Sequence, residues 1–167
     1  MEFWDIYDVN KKPTGRTMKR NDFHMQDGDY HLTVLAVLER PDGTYLVTQR
    51  VMTKAWAAGW WEVTGGGVQA GETSFEAVCR EVREETGLDV SKAEGGLAFT
   101  YRRDNHDEGD NYFVDVYHFV LPIEKEDLHF QEEEILGWKF ATLDEIKDLA
   151  AQGIFLHYDS IKTVFEN

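Results

Sequence analysis

Three glutamates, Glu81, Glu84 and Glu85, stand three and four residues apart within GGGVQAGETSFEAVCREVREETGL, residues 65–88. On a helix that spacing brings all three to one face. Like charges so placed oppose the helix by about 0.2–0.5 kcal/mol per pair, and a divalent cation between them reverses the sign. Hard carboxylate oxygens suit Mg2+ or Mn2+, and Mg2+ takes few carboxylates, leaving positions for substrate phosphate oxygens. The competing reading of EVREE is a solvated helical face, the usual fate of a charge run.

The element that must hold these carboxylates is a helix over 73–86. Thr73 or Ser74 can cap it, Glu76 stands three beyond Thr73, and Gly87 stops it. Phe75, Val78 and Val82 mark the opposite, buried side. Before it, WWEVTGGG (60–67) reads as a short strand running into a glycine turn. HLTVLAVL (31–38), PDG (41–43) and TYLVTQR (44–50) read as a hairpin. GLAFTYRR (96–103) and NYFVDVYHFVL (111–121) are strands joined by the polar loop DNHDEGD, and ILGWKFA (135–141) is another strand. FWDIYDV (3–9) suits an edge strand and NKKPTGR (10–16) a turn. TLDEIKDLAAQG (142–153) opens with a capping box at Thr142 and Glu145, and a last short helix covers 159–166. Strands interspersed with few helices predict an α/β layer fold, a mixed sheet packed between helices.

The bulk properties constrain the partner. With 167 residues, 42% hydrophobic and 29% charged, one domain with a real core is expected. Thirty-two acidic residues against 17 Lys and Arg give a formal charge of -15. That balance argues against a nucleic-acid backbone or an anionic membrane as partner. A phosphate compound remains compatible if divalent cations bridge it to the protein. One cysteine, Cys79, forms no internal disulfide, and LTVLAVL (32–38) is too short to span a bilayer. The N-terminal MEFWDIYDVNKK lacks the plan of a signal peptide, so a cytoplasmic enzyme or binding protein is expected.

From Gly66 onward the chain shows Glu72, Arg80-Glu81, Val82, Glu84-Glu85, Gly87 and Leu88 at fixed intervals, nine specified positions over residues 66–88. This resembles the box of the Nudix family at every defined position. The resemblance implies a Nudix-type α/β/α sandwich with a mixed central β-sheet. It implies that Glu81, Glu84 and Glu85, with the backbone carbonyl of Gly65, hold catalytic Mg2+ (or Mn2+). Arg80 matches the arginine that orients the neighbouring glutamate, and Glu72 its supporting partner. The implied chemistry is hydrolysis of a diphosphate linkage, with a carboxylate taking the proton of the attacking water. The expected substrate is a phosphorylated small molecule of nucleotide type, a nucleoside diphosphate joined to a group X or a nucleoside triphosphate; a homodimer is left open. One departure stands at Thr64, where many such hydrolases carry proline.

A second resemblance runs through YHLTVLAVLERPDGTYLVTQR and TKAWAAGWW, which are similar to isopentenyl-diphosphate isomerase, a relative of the same fold. His24 and His31 match the spacing of two of its metal histidines. Its cysteine, however, falls on Gly65, its third histidine on Gly67, and its later acidic motif has no clear match in NYFVDVY. The two histidines then revert to structural roles. For substrate contacts, Gly66 opens the box, Arg50 ends its strand as a phosphate candidate, and Glu133 in QEEE is the candidate for an extra carboxylate. Against these stand a surface ion pair for Arg50 and a solvated run for QEEE. Trp56, Trp60, Trp61 and Tyr101 could stack on a base or serve the core; Lys54, Arg102 and Arg103 are weaker candidates.

Overall fold

A computed structural model describes residues 2–54, 56–131 and 133–166. In chain order the strands are β1 (Phe3–Tyr7), β2 (Pro13–Lys19), β3 (His31–Glu39), β4 (Tyr45–Arg50), β5 (Trp61–Glu62), β6 (Thr64–Gly67), β7 (Glu94–Arg103), β8 (Tyr112–Val120) and β9 (Ile135–Ala141). The helices are α1 (Ser74–Thr86), α2 (Leu143–Ala151) and α3 (Tyr158–Phe165). Strands β3 to β9 form one mixed sheet, in which β3 and β8 are parallel and the other pairs antiparallel. β1 and β2 make a separate two-stranded sheet.

Alternation along the central strands sorts the core into two layers. On β3, Leu32, Val34, Ala36 and Leu38 face one side, with Val78 and Val82 of α1. Leu35 and Val37 face the other, with Ile146 of α2 and Ile161 and Val164 of α3. Period-two patterning on a strand and a helix on each face give the expected α/β/α layering. No described helix is long and apolar enough to cross a membrane.

The hairpin expected of β3 and β4 is present but short: the two are antiparallel, and the Arg40 N–H meets the Thr44 carbonyl at 2.7 Å across the PDG turn. They share a single residue pair, Glu39 with Tyr45. Beyond it the strands part, and the gap is filled by WEVTGGG. β5 pairs with β4 (Thr48 with Glu62), and β6 pairs with β3 (Ala36 with Thr64 through Thr33 with Gly67). The glycine run is therefore a strand, not a turn. Its glycines serve close approach: a Cβ on Gly65 would lie 2.3 Å from the Val34 carbonyl, and one on Gly66 2.4 Å from the Glu81 carboxylate. Only glycine lets β6 lie this tightly between β3 and α1.

Two further expectations are revised. Residues 10–16, read as a turn, run into β2. Phe75, read as buried, is 43% exposed; it lies one helical step from Ser74, which meets β8, so its ring reaches only the edge of the sheet, 6.3 Å from Tyr117.

Helix α1 starts where the sequence places it. The Thr73 hydroxyl accepts the Glu76 N–H, and the Glu76 carboxylate accepts the Thr73 N–H at 3.0 Å. Such a cap contributes about 0.5–2 kcal/mol. Gly87 closes the helix in the left-handed region, φ 82°, as a C-terminal glycine should. The N-terminal sheet is tied down by Lys11, whose Nζ lies 2.9 Å from the fully buried Asp115 of β8. Ser74 Oγ and Thr100 Oγ1 also donate to Asp115, both at 2.6 Å.

Candidate active site

The box glutamates face a cleft of about 580 Å3 between α1, the β4–β5–β6 edge and the N-terminal sheet. Gly65, Gly66, Arg80, Glu81, Glu84, Glu85 and Arg50 all line it; Glu72 braces it from behind. On the α1 wall, Arg80 is the hub. Its Nε donates to Glu72 at 2.6 Å and its Nη2 to the same carboxylate at 2.9 Å. Its Nη1 donates to Glu81 at 2.9 Å and to Glu84 at 3.4 Å, and Nη2 also reaches the Gly67 carbonyl at 3.1 Å. Glu72 accepts the Gln69 N–H as well, at 2.9 Å. Burial would raise the Glu72 carboxyl, but these bonds and the Arg80 charge outweigh it and hold it below its ordinary value.

The three carboxylates sit in unlike surroundings. Glu84 is at the mouth, its side chain 58% exposed, whereas that of Glu81 is 14% exposed. Burial raises the Glu81 proton affinity, the Glu84 charge adds to it, and Arg80 opposes it. Glu85 is open to the cleft, yet the walls around its carboxylate displace enough bulk water to push it up to about 8. The nearby Glu81 and Glu62 charges push the same way, and a hydrogen bond donated by Thr64 Oγ1 pulls back. Thr64 thus does something at this position that proline could not.

Among the described residues no three acidic, histidine or cysteine side chains already stand in metal-binding geometry, and Arg80 spans the space between Glu81 and Glu84. The site nonetheless fits a hard divalent cation. Its donors are all oxygen, and Glu85 is destabilised as an anion by Glu81 and Glu62, the condition a cation relieves. The missing Cβ of Gly66 leaves the Glu81 carboxylate room.

The opposite wall carries two cations, each paired with a carboxylate. Arg50 Nη1 pairs with Glu62 at 3.3 Å, and Lys54 Nζ with Glu134 at 3.3 Å. Arg50 is thus ion-paired, one of the two readings of it, and it also lines the cleft. Burial raises the Glu62 carboxyl against the pull of Arg50. Glu133 is a correction: it is exposed and does not line the cleft, whereas Glu134 does. The Glu134 N–H donates to the Gln131 carbonyl at 2.9 Å. Glu132 lies outside the described residues.

Sequence reasoning missed Glu62, Gln69, Thr48, Glu2 and Arg20 of the cleft. Glu62 left a trace, a lone charge in the apolar run WWEV; Glu2 and Arg20 left none, since only the docking of the N-terminal sheet brings them there. His31 is buried, its Nε2 2.8 Å from Asp110 and its ring stacked 4.1 Å from Trp4, while His24 is exposed in a loop. Arg102 pairs with Asp104 and Arg103 with Ser160, and neither lines the cleft.

Residues 29–162 match the family described as the NUDIX domain. An uncharacterized Nudix hydrolase of Listeria monocytogenes is 29% identical over 166 residues, 99% of this chain and 94% of its own length. An isopentenyl-diphosphate Delta-isomerase of Salmonella heidelberg is 34% identical over 87 residues, 52% of this chain and 48% of the isomerase. A crystal structure of a Deinococcus radiodurans protein superposes with a TM-score of 0.75, covering 98% of this chain and 97% of that one at 23% identity, and so shares the fold.

Proposed function

The chain belongs to the Nudix family, and from that premise we propose that it is a divalent-metal-dependent pyrophosphohydrolase acting on the diphosphate linkage of a nucleoside diphosphate joined to a group X, or of a nucleoside triphosphate. The observation that carries the reading is the meeting of Glu81, Glu84 and Glu85 on one wall of a cleft whose other wall bears Arg50 and Lys54. Mg2+ or Mn2+, held by the three glutamates and the Gly65 carbonyl, would supply positive charge to phosphoryl oxygens. The chain's own residues do the rest. Glu72 fixes Arg80, and Arg80 fixes Glu81. A carboxylate of this wall takes the proton of the attacking water. Arg50 and Lys54 exchange their carboxylate partners for substrate phosphate oxygens.

The half-length likeness to the isomerase favours a second reading, proton transfer on an alkenyl diphosphate. The residues oppose it. Gly65 stands where the cysteine is needed. Cys79 is on α1, half-buried, and burial pushes its thiol up, away from reactivity. Asp115 on β8 is buried and committed to Lys11, Ser74 and Thr100.

The test is product release from a panel of nucleoside triphosphates, nucleoside diphosphate sugars and dinucleotides, with Mg2+, Mn2+ or EDTA, and isopentenyl diphosphate in parallel. Hydrolysis of at least one nucleotide, abolished by EDTA, is expected, and no dimethylallyl diphosphate. Absence of any nucleotide turnover, or formation of dimethylallyl diphosphate above a no-enzyme control, overturns the proposal.

A further inference from the structure

The proposed chemistry uses two walls of the cleft and leaves the third without a task. That third wall is Glu2, Arg20 and Gln69. It is firmly held. Trp4, 5% exposed, stacks on His31 at 4.1 Å, and its Nε1 would lie 2.8 Å from a Cβ on Gly67, so the ring occupies room that this glycine leaves. The Arg20 N–H donates to the Glu2 carbonyl at 3.0 Å, just past the paired ends of β1 and β2. The Gln69 N–H donates to Glu72 at 2.9 Å, which ties this wall to the brace behind Arg80.

Glu2 is the centre of the wall. Its Oε2 accepts from Trp4 Nε1 at 3.1 Å, and its Oε1 accepts from Arg20 Nη1 and Gln69 Nε2, both at 3.2 Å. An ionised carboxylate offers about four acceptor positions, so these three bonds leave one on Oε2. Among the described residues, Gln69 Oε1 and the Nε and Nη2 of Arg20 have no protein partner. Donors and acceptors therefore lie side by side. A hydroxyl uses both, whereas a phosphate only accepts. Three donors fix Glu2 in place, so a phosphate oxygen at Arg20 would face a carboxylate that does not withdraw, and like charges so placed are costly.

We propose that Glu2, Gln69 and Arg20 form a subsite for the hydroxyls of a sugar ring attached to the diphosphate. The inference rests on the pyrophosphohydrolase reading for what occupies the rest of the cleft. Glu2 and Gln69 accept from the hydroxyls, and Arg20 donates to them. The sugar is either the ribose of the nucleoside or a sugar serving as group X, since both offer the same hydroxyl chemistry. A further phosphate does not lie against this wall.

The test is calorimetric titration with Mg2+ and four probes: the α,β-methylene analogue of ADP, its 2′,3′-dideoxy form, the α,β-methylene analogue of UDP-glucose, and methylenediphosphonate, which has no sugar. In Glu2→Ala and in Gln69→Ala, affinity for at least one hydroxyl-bearing probe falls about tenfold, the scale of a lost hydrogen bond to a charged group or of two neutral ones. Affinity for methylenediphosphonate does not fall. A loss on the ADP analogue that is absent from its dideoxy form assigns the subsite to the nucleoside ribose; a loss confined to the UDP-glucose analogue assigns it to the sugar of group X. If the wall served a phosphate instead, removing the Glu2 carboxylate would tighten all four probes, and that result overturns the proposal. Equal loss on all four, or loss on none, overturns it as well. A wild-type protein that binds none of the four refutes the diphosphate reading itself, a result distinct from wild-type binding that ignores Glu2 and Gln69.

Discussion

Arg80 and Glu72 meet through two parallel hydrogen bonds, Nε to Oε2 at 2.6 Å and Nη2 to Oε1 at 2.9 Å. Neither carries out chemistry in the proposed reaction, yet the pair sets where Glu81 stands, because the third nitrogen of the same guanidinium holds the Glu81 carboxylate at 2.9 Å. A two-pronged pair fixes orientation as well as distance. Glu72→Gln keeps the shape and removes one acceptor from the Arg80 fork. We expect kcat to fall about tenfold or more, with the metal concentration needed for half-maximal rate raised and KM for substrate nearly unchanged. A variant with wild-type metal dependence would show that Arg80 needs no such support.

Glu84→Gln and Glu85→Gln each remove a proposed metal oxygen while conserving volume. Turnover on the best substrate should fall by roughly two orders of magnitude or more, as for other groups that stabilise charge in a transition state. Near-normal kcat in either variant would sink the assignment of that residue.

Glu85 also gives stability a pH dependence in the absence of metal. Its carboxyl is pushed up to about 8 in the metal-free folded chain against an ordinary 4.5, by the loss of bulk water between the cleft walls and by the Glu81 and Glu62 charges. Folding therefore takes up a proton between those values. The contribution of this group is full below pH 4.5 and is lost as pH rises through about 8. Melting temperature in EDTA should decline across that window, the decline should shrink in Glu85→Gln, and Mg2+ should offset it at pH 8. A flat wild-type profile in EDTA would contradict the crowding of carboxylates in the cleft.

Thr64→Val removes the hydroxyl that donates to Glu85 and keeps the side-chain shape. We expect a drop of about threefold to thirtyfold in kcat and an upward shift of the pH at which activity is half-maximal, because the bond pulls the Glu85 proton affinity down. KM should stay within about twofold. An unshifted pH profile would mean that the hydroxyl does not bear on the reactive carboxylate.

Gly65→Ala and Gly66→Ala, adjacent and chemically identical, should behave differently. The new Cβ at 65 would meet a backbone carbonyl, that of Val34, at 2.3 Å, and that at 66 the flexible end of Glu81 at 2.4 Å. Backbone in a sheet cannot yield as a side chain can, so Gly65→Ala should lose about 1–3 kcal/mol of stability. Gly66→Ala should stay within about 1 kcal/mol and lose activity instead, because its damage is displacement of the Glu81 carboxylate. Urea unfolding alongside steady-state kinetics separates the two.

The amino-acid sequence alone determined what is local. The face shared by Glu81, Glu84 and Glu85 follows from helical period, and the start and end of α1 from Thr73, Glu76 and Gly87, because those interactions span four residues or fewer. The α/β layer fold was legible in the order of strands and helices, each marked by short-range signals, and the α/β/α sandwich in the family resemblance. Tertiary structure decided what depends on distant segments meeting. The glycine run became a strand only because β3 and β4 diverge after Glu39 and Tyr45 and leave a gap to fill. Phe75 has the spacing of a core residue and stays half-exposed because it falls at the edge of the helix face that meets the sheet. Glu134 lines the cleft because the segment before β9 folds back over β4, where Lys54 pairs with it. Glu62 comes to press on Glu85, and Glu2 and Arg20 to form a wall, through packing between segments far apart in the chain. Spacing along a chain specifies neighbours within an element; which elements face each other across a cleft is set by how whole layers bury their apolar faces, and that is written in no single stretch.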